Sequence, residues 1–509
     1  MRLPSLDRLS RSHPPVVGAL LALLLGGCVA VSSAQAQGFG VYEQGTCVMA
    51  RAGAAVANGC GDGSSIFFNP AEMAKTGGIT VSLGATAIAA TGEFTYDYTA
   101  RAPYTGVEVD LDNDPIPVPH LYGSYALNED LGVGLGVYVP YGLETNWPVR
   151  LSDGSVFDGA FEGFENRVQS IYIQPTVSYQ VTPKLRVGGG PVVAVSSVEL
   201  NQVQDLSQVE VPSDQVPDGT TFGNLGVPFH TAFARSKLEA TNQIGFGVNL
   251  GATYEISDRL RIGARFLSPI TVEYEGDASF EQLSTGLVFP SSSPLAQNLD
   301  PFSPGPEATP ADILVAGQFD QSGVLEQYQA LASADGALSS QSVETEITFP
   351  MQIVGGVSFQ ATDRLLLLAD YQFNGWSAFD EIPLDFENLG SQTREENYNN
   401  THAVRIAAEY DVLDQLTARA GYLYNTPAAP DEVVTPLLPE NDRNQYTIGV
   451  GYRPADIFEV NVSYQLLMQN DRRGRVRGAL PGEDVTTDLN QGLYSFGANL
   501  FGATLTLHL

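Results

Sequence analysis

The regular alternation of apolar and polar residues along most of this chain limits its fold more than any other feature. In one segment, Leu260, Ile262 and Phe266 share one parity, whereas Arg261 and Arg265 share the other. Side chains of a β-strand point alternately to opposite faces, so these segments predict strands with one apolar and one polar face. They run for roughly ten to sixteen residues, which suits tilted membrane strands better than the shorter strands of soluble sandwiches.

Short and long connections alternate between the predicted strands. Each short turn joins two alternating segments, and a long stretch rich in Gly, Pro and Asp follows. The short turns lie at Asn128–Asp130, Thr182-Pro183, Ser257-Asp258, Thr362-Asp363, Leu413-Asp414 and Pro454–Asp456. Outer-membrane barrels have short periplasmic turns and long external loops, whereas β-sandwiches show no such alternation.

We therefore predict an all-β fold, a transmembrane antiparallel β-barrel of about 14 strands within residues 77–509. The predicted strands are 78–91, 117–127, 131–140, 167–181, 184–199, 241–256, 259–274, 346–361, 363–376, 401–412, 415–425, 444–454, 456–469 and 493–508. An even strand number places both ends of the barrel in the periplasm. A large soluble sandwich is the alternative interpretation.

The composition agrees with a membrane barrel and argues against nucleic acid as a partner. Hydrophobic residues make up 43% of the 509 residues and charged residues 16%. Beyond residue 36 no apolar run approaches the ~18 residues of a membrane helix, and barrel strands keep the average hydropathy low because their two faces differ. The formal net charge of −33 argues against nucleic acid as a partner.

The first 36 residues have the pattern of an export signal. Arginines precede an apolar run from Val16 to Leu25, and small residues end at Ala36, after which we predict cleavage. The alternative is a lipobox-like Leu25–Cys28, which would make Cys28 a lipidated N-terminus. Together with the strands, this signal predicts a multi-pass β-barrel in the outer membrane of a Gram-negative bacterium.

Residues 37–76 do not alternate, and we predict that they form a compact hatch. A barrel of about fourteen strands is too wide for its own side chains to fill, so a segment folded inside would close it. Cys47 and Cys60 lie in this segment, and export favours a disulfide between them. Such a bond would stabilise the hatch by roughly 3 kcal/mol, and the alternative is two small buried thiols.

Several short motifs resemble the outer-membrane long-chain fatty acid transporters of the FadL/TodX-like family. In the predicted hatch these are Gly38-Phe39, Glu43-Gln44, Arg51–Gly53 and above all Phe68–Ala71. Further similarity follows at Val139–Leu143, Gln174–Tyr179, Tyr274–Asp277, Trp376–Asp380 and Thr435–Pro439. The motifs occur in order across essentially the whole mature chain, which makes the resemblance specific.

The resemblance implies a hatch-plugged barrel for passive uptake of long-chain fatty acids or related hydrophobic molecules, without cofactor, metal or catalysis. Family members are thought to capture substrate near the external loops and release it sideways at a kinked third strand. Here the third strand carries Gly132, Gly134, Gly136 and Pro140, which suit a weakened or bent ladder. The alternative is that the glycines relieve crowding inside the barrel.

The resemblance also singles out hatch residues, as a structural gate or as a simple turn before the first strand. These residues are Phe68, Asn69, Pro70 and Ala71. We expect Asn69 to bond barrel-wall backbone and Pro70 to keep Asn69 extended.

Three arginines have the parity of lumen-facing residues and are candidates to hold a substrate carboxylate: Arg265, Arg405 and Arg419. The alternative for each is pairing with lumen acids that brace the hatch, such as Glu409, Asp370 and Glu255.

Other functions stay open at this point. The acidic composition favours neutral aromatic or alkane hydrocarbons relative to a basic homologue, and a general diffusion porin is a further alternative. The five histidines have neither metal-ligand nor nucleophile-base spacing, so we predict no enzyme. We expect a monomer, because lateral release needs free access to outer-membrane lipids.

Overall fold

The computed structural model describes residues 38–75, 78–96, 105–209, 217, 219–283, 285, 338–475 and 490–509. The predicted signal peptide and the alternative lipidation at Cys28 lie outside the described residues.

Within the described residues, twenty strands form one antiparallel sheet. The strands are β1 Gly78–Tyr96, β2 Glu108–Asp110, β3 Ile116–Ala126, β4 Leu131–Asn146, β5 Glu165–Thr182, β6 Leu185–Asp205, β7 Ala232–Ser257, β8 Leu260–Leu267, β9 Ile270–Gln282, β10 Gln341–Phe349, β11 Gln352–Thr362, β12 Leu365–Asn374, β13 Glu381–Phe386, β14 Gly390–Glu395, β15 Thr401–Leu413, β16 Leu416–Asn425, β17 Arg443–Ala455, β18 Phe458–Gln469, β19 Arg472–Arg475 and β20 Asn490–His508.

The sheet closes on itself as a 14-stranded barrel, which confirms the predicted fold. β1 pairs with β20 from Thr80↔His508 to Tyr96↔Gly492, so the first and last strands form the seam. β8 and β9 are one crossing interrupted after Leu267, and β10 and β11 are one crossing interrupted after Phe349. The short strands β2, β13, β14 and β19 lie in the long connections and add no crossing.

The exposed face of the barrel is apolar and the inner face is polar, as the alternation predicts. Phe246 of β7 is 73% exposed and Ile448 of β17 is 60% exposed. By contrast, Asn461 and Gln465 of β18 and Thr504 of β20 are buried. An apolar outer surface can face lipid because the strands satisfy their backbone hydrogen bonds within the sheet.

Several strands extend beyond their predicted ends on the loop side. β6 reaches Asp205 and β7 begins at Ala232, where the sequence predicted ends at 199 and 241. These extensions are paired with each other, although their polar residues on both faces weaken the alternation. The predicted loop at 377–400 also contains a hairpin, formed by β13 and β14.

The helices are short. The α-helices are α1 Thr46–Ala50 and α2 Ser65–Phe68, and the 3₁₀ turns are Pro70–Lys75, Asp158–Phe161, Leu206–Gln208, Gly223–Leu225, Trp376–Ala378 and Asp431–Val433. Among the described residues, none of the helices has the length and apolar character needed to cross a membrane.

Candidate functional site

Residues 38–75 lie inside the barrel, because wall strands on all sides bond to them. Thr504 of β20 bonds the hydroxyl of Thr46 in α1 at 2.6 Å. On another side, Asp370 of β12 accepts two hatch N–H groups, at 2.9 and 3.0 Å. On a third side, Asn249 of β7 donates to hatch carbonyls at 3.0 and 3.1 Å. This segment is the hatch.

A disulfide joins Cys47 and Cys60 in the hatch, with Cα atoms 6.3 Å apart. Both cysteines are buried. Within the loop that they close, Arg51 donates to Glu409 of β15 at 2.6 and 2.9 Å. Residues 47–60 therefore form a part of the hatch that is covalently closed and bound to the wall, and we call them the stapled core.

Asn69 connects the hatch to β7. Its backbone is extended, with φ −167°, and its amide donates to the carbonyl of Ala252 and the hydroxyl of Thr253, both at 3.2 Å. Gly251 faces it so closely that a Cβ there would lie 2.0 Å from Asn69 Oδ1. The glycine is needed for this approach.

The hatch residues singled out by the resemblance serve as a wall contact in the structure. Phe68 and Ala71 are buried, and the N–H of Ala71 donates to Asn69 Oδ1 at 3.1 Å. None of Phe68, Asn69, Pro70 and Ala71 lines either of the two apolar cavities described below.

The three lumen arginines hold the hatch and the wall together. Arg419 donates to Glu409 at 2.5 Å, so this acid joins Arg419 to the hatch. Arg405 donates to Gln372 of β12 at 2.6 Å and lies over the ring of Tyr42. None of the three lines either apolar cavity.

Arg265 has the same kind of surroundings. Its guanidinium lies 4.1 Å from the centre of the Phe67 ring, and it donates to Asn249 at 3.1 Å. Of the acids named as alternative partners, Glu409 pairs with Arg419, whereas Arg265 and Arg405 contact side-chain amides and hatch rings instead.

β4 bends toward the hatch at residues 138–141, while it stays paired with β5 on either side of the bend. Tyr138, Val139, Pro140 and Tyr141 are all buried, whereas a regular strand would expose alternate residues. Opposite β5, the register shifts between Tyr138 and Tyr141, which is a β-bulge. The bend is therefore built into the strand.

The bend separates β4 from β3. The ladder between them ends at Leu121↔Val137, although β3 stays paired with β1 as far as Ile116. Asn113 joins the two sides again by donating to the carbonyl of Glu144 at 2.7 Å and accepting the N–H of Asn146 at 2.8 Å. We call the unpaired stretch, 116–120 against 138–143, the β3–β4 gap.

The glycines of β4 do not weaken the ladder, so that interpretation was wrong. Gly132, Gly134 and Gly136 all keep partners in β3, below the gap. A Cβ on Gly134 or Gly136 would lie 2.9 Å from side-chain atoms of Ile66 in the hatch, so these glycines make room for it. Of the four β4 residues named in the sequence analysis for a weakened or bent ladder, Pro140 lies within the bend.

The beginning of the hatch replaces β3 as the partner of β4 at the bend. Val41 donates its N–H to the carbonyl of Pro140 at 2.8 Å, and Gly142 donates to the carbonyl of Phe39 at 3.0 Å. Gln44 bonds both backbone groups of Val139. Sequence reasoning missed these contacts, although Gly38-Phe39 and Glu43-Gln44 were among the motifs that carried the resemblance.

Two apolar cavities, each with about 860 Å³ of empty space including the mouth, adjoin the bend. The first, which we call the loop cavity, is lined by wall residues such as Val198 and Ile347 and by Phe379 and Leu437 from the long connections. The second, the gap cavity, reaches both edges of the β3–β4 gap.

The two cavities meet at a common partition. Phe39, Leu143 and Leu438 line both. The Phe39 ring packs edge-on against Trp376, with centroids 4.7 Å apart. The gap cavity reaches the gap through Ile116 of β3 and Gly142 of β4. Apolar cavities thus lie on both sides of this partition, one toward the long connections and one toward the gap.

The charged groups at the cavity walls are already paired. In the loop cavity, Glu396 accepts from Arg394 at 2.9 Å and Glu239 lies 2.8 Å from Lys237. Among the described residues that line the two cavities, Arg443 is the sole cation, and it lies 3.5 Å from Glu440. The loop cavity therefore offers a carboxylate no cation, and the gap cavity offers Arg443, which already has Glu440 as a partner although its Nε makes no hydrogen bond.

A closed barrel with a polar lumen, an apolar outer belt and an internal hatch defines a transport barrel of the outer membrane. The sequence model for the outer membrane protein transport protein family (OMPP1/FadL/TodX) matches residues 27–506, and the chain belongs to this family. It is therefore an outer-membrane protein of the FadL/TodX type, a family of transport channels for hydrophobic compounds.

Curated relatives match nearly the whole chain. A 47 kDa outer membrane protein of Pasteurella multocida is 25% identical over 484 residues, which cover 94% of this chain and 97% of the relative. A putative outer membrane protein of Neisseria meningitidis is 24% identical over 481 residues, covering 91% and 92%. Outer membrane protein P1 of Haemophilus influenzae is 23% identical over 462 residues, covering 86% and 87%.

Solved structures share the fold. A Pseudomonas aeruginosa FadL homologue aligns with a TM-score of 0.70 at 18% identity and covers 93% of this chain and 100% of its own. The toluene transporter TodX of P. putida aligns with a TM-score of 0.62 at 17% identity, covering 94% and 99%.

Proposed function

We propose that this protein mediates passive uptake of uncharged hydrophobic molecules across the outer membrane. A molecule enters the loop cavity, passes Phe39 and leaves the gap cavity sideways into the membrane through the β3–β4 gap. The observation that carries the proposal is that two apolar cavities, which share Phe39, Leu143 and Leu438, extend from the loop residues to the two edges of the gap. Such cavities bind apolar surface and repel polar solutes.

The charge pattern supports uncharged cargo over long-chain fatty acid anions. A buried carboxylate needs a cation or several hydrogen-bond donors, and moving it into an apolar cavity without them is costly. The lining cation Arg443 is paired with Glu440, and Arg265, Arg405 and Arg419 bind the hatch and wall. The P. putida fold neighbour is described as a toluene transporter, and toluene is an uncharged molecule.

The hatch makes a general diffusion porin a poor alternative. Its bonds to β7, β12, β15 and β20 keep it across the lumen, and we propose that residues 68–71 fix it rather than contact cargo. We further propose that the protein acts as a monomer, so that the β3–β4 gap has access to outer-membrane lipids.

The test is a pair of probes with the same tail. Purified full-length protein in lipid vesicles is given oleyl alcohol or oleate at a pH where oleate is ionised, and uptake is followed by trapping inside the vesicle. We expect protein-dependent uptake of the alcohol to exceed that of the acid. Equal or faster uptake of oleate would overturn the choice of uncharged cargo.

A polar probe and a conductance measurement test the transport class. Sucrose uptake and a large steady current across a planar bilayer are expected of a diffusion porin. We expect neither from the intact protein. If sucrose enters and oleyl alcohol does not, the proposed function is wrong.

A further inference from the structure

Gln44 bonds β4 within the β3–β4 gap and β3 just beside it. Its amide Nε2 donates to the carbonyl of Val139 on β4 at 2.6 Å, and Val139 donates its N–H to Gln44 Oε1 at 2.9 Å. In the adjoining paired part of β3, the hydroxyl of Tyr122 donates to the main-chain carbonyl of Gln44 at 2.6 Å. Gln44 is 0% exposed.

The side chain of Gln44 does the work of a missing strand neighbour. A buried backbone N–H and C=O both require partners, and the bend has taken β4 away from β3. A primary amide offers one acceptor oxygen and two donor hydrogens, so one side chain can satisfy both groups of one residue. Without this amide, both backbone groups of Val139 lose the partners that they have here.

Gln44 is also adjacent to the fixed part of the hatch. Gly45 follows it and caps α1, and Cys47 begins the stapled core. The segment 39–44 therefore bonds to the gap at one end and is continuous with a covalently closed unit at the other.

We propose that Gln44 is the positioning residue that sets the width of the β3–β4 gap and so selects which molecules pass. The inference rests on the proposed lateral route. While both bonds to Val139 are made, the bent strand is held beside the segment 39–44, and slim molecules pass more readily than bulky ones. When these bonds are lost, the bend separates from the segment 39–44, and bulky molecules pass more readily than before.

The experiment compares Gln44→Met, Gln44→Glu and a matched control. Gln44→Met keeps the length of the side chain and removes its hydrogen bonds. Gln372→Met removes a buried amide that bonds Tyr42 of the same segment 39–44 at 2.6 Å, and this amide has no hydrogen bond to β4 among the described residues. Each full-length variant is placed in vesicles, and the uptake ratio of a branched to a linear uncharged alcohol of equal carbon number is measured.

We expect Gln44→Met to raise this ratio by about tenfold, since each buried hydrogen bond lost is worth a factor of that order. Gln372→Met is expected to leave the ratio unchanged, even where total uptake falls. An unchanged ratio in Gln44→Met, or an equal rise in Gln372→Met, would overturn the proposal.

Gln44→Glu provides a pH profile that a purely structural role would not produce. A protonated carboxyl has one donor and one acceptor, like the amide, whereas the carboxylate is an acceptor only. We expect the wild-type ratio at low pH and the Gln44→Met ratio at high pH. The titratable groups around this position are Tyr122 and His120 on β3, Tyr138 on β4, and Glu43 and Asp62 in the hatch. These groups remain in Gln44→Met, whose ratio is expected to be independent of pH; an equal pH dependence there overturns the assignment.

Hydrogen exchange separates failure of this inference from failure of the proposed function. Amides of 138–142 are expected to exchange faster in Gln44→Met than in Gln372→Met, whatever the protein transports. A wild-type chain that passes none of the alcohols overturns the lateral route and with it the selection by Gln44. A wild type that passes them, with unchanged exchange and ratio in Gln44→Met, overturns the role of Gln44 alone. If Gln44→Met does not form a barrel, Gln44→Glu at the two pH values decides.

Discussion

Among the described residues, the ladder of the barrel wall is interrupted at the β3–β4 gap and, over a longer stretch, between β7 and β9, and the two interruptions differ in what covers them. Between β7 and β9, residues 240–248 and 268–276 are unpaired, although Asn249↔Leu267 and Glu239↔Asp277 on either side share one register. Here β9 passes beneath β7: a Cβ on Gly245 would lie 2.8 Å from the carbonyl oxygen of Thr271. We call this stretch the β7–β9 crossing.

At the β3–β4 gap the strand bends away and the hatch takes its place. The edges there carry Pro117, Pro119 and Pro140, which have no N–H to donate. The comparison teaches that a missing ladder does not by itself open a wall. What matters is whether the next strand tucks under its neighbour, as glycines allow at the β7–β9 crossing, or leaves its backbone to another segment.

Removal of the Cys47–Cys60 disulfide should affect the β3–β4 gap much more than the β7–β9 crossing, and this is the largest difference that we expect between them. We expect Cys47→Ser with Cys60→Ser to cost the hatch roughly 3 kcal/mol and to speed amide exchange at 138–142. Exchange at 268–276 should not change, because β9 pairs with β10 there rather than with the hatch. Exchange by mass spectrometry checks both segments in one sample, and equal acceleration in both would contradict the distinction.

Gly245→Ala should disturb the β7–β9 crossing rather than the β3–β4 gap. The added Cβ would meet Ile270 at 2.7 Å and the backbone oxygen of Thr271 at 2.8 Å, so β9 has to shift. We expect a loss of about 1–3 kcal/mol in barrel stability, measured by urea unfolding in vesicles. Gly355→Ala on β11 is the control, because its Cβ would meet no atom within 4 Å. A stability equal to that control would show that the crossing is not tightly packed.

The smallest effect is expected at the edge of the β7–β9 crossing. The hydroxyl of Ser268 accepts the N–H of Val248 at 3.0 Å, where the ladder ends. Ser268→Ala should cost about 1 kcal/mol through that lost bond, with no change in the uptake of hydrophobic alcohols. A change in uptake selectivity comparable with that of Gln44→Met would mean that the crossing also admits cargo.

The sequence predicted the barrel well because lipid and lumen impose opposite polarities on neighbouring residues. The same parity placed Arg265, Arg405 and Arg419 inside, but it could not name their partners, which depend on where the hatch lies. The contact between Gln44 and Val139 joins residues 95 positions apart, and no local pattern encodes such a pair. The glycines of β4 indicated the strand that borders the gap, but they do not lie in the gap themselves. A glycine that makes room for Ile66 and a glycine that weakens a ladder give the same sequence pattern.

The position of the hatch ahead of β1 has a consequence for biogenesis. β1 forms the seam with β20, and the hatch precedes β1 in the chain, so packing of the hatch and closure of the barrel involve neighbouring segments. Cys47 and Cys60 are buried in the packed hatch, with 2% and 6% exposure. An oxidant can therefore reach this pair only while the hatch is not yet packed, which assigns disulfide formation to the assembly of the protein rather than to its folded state.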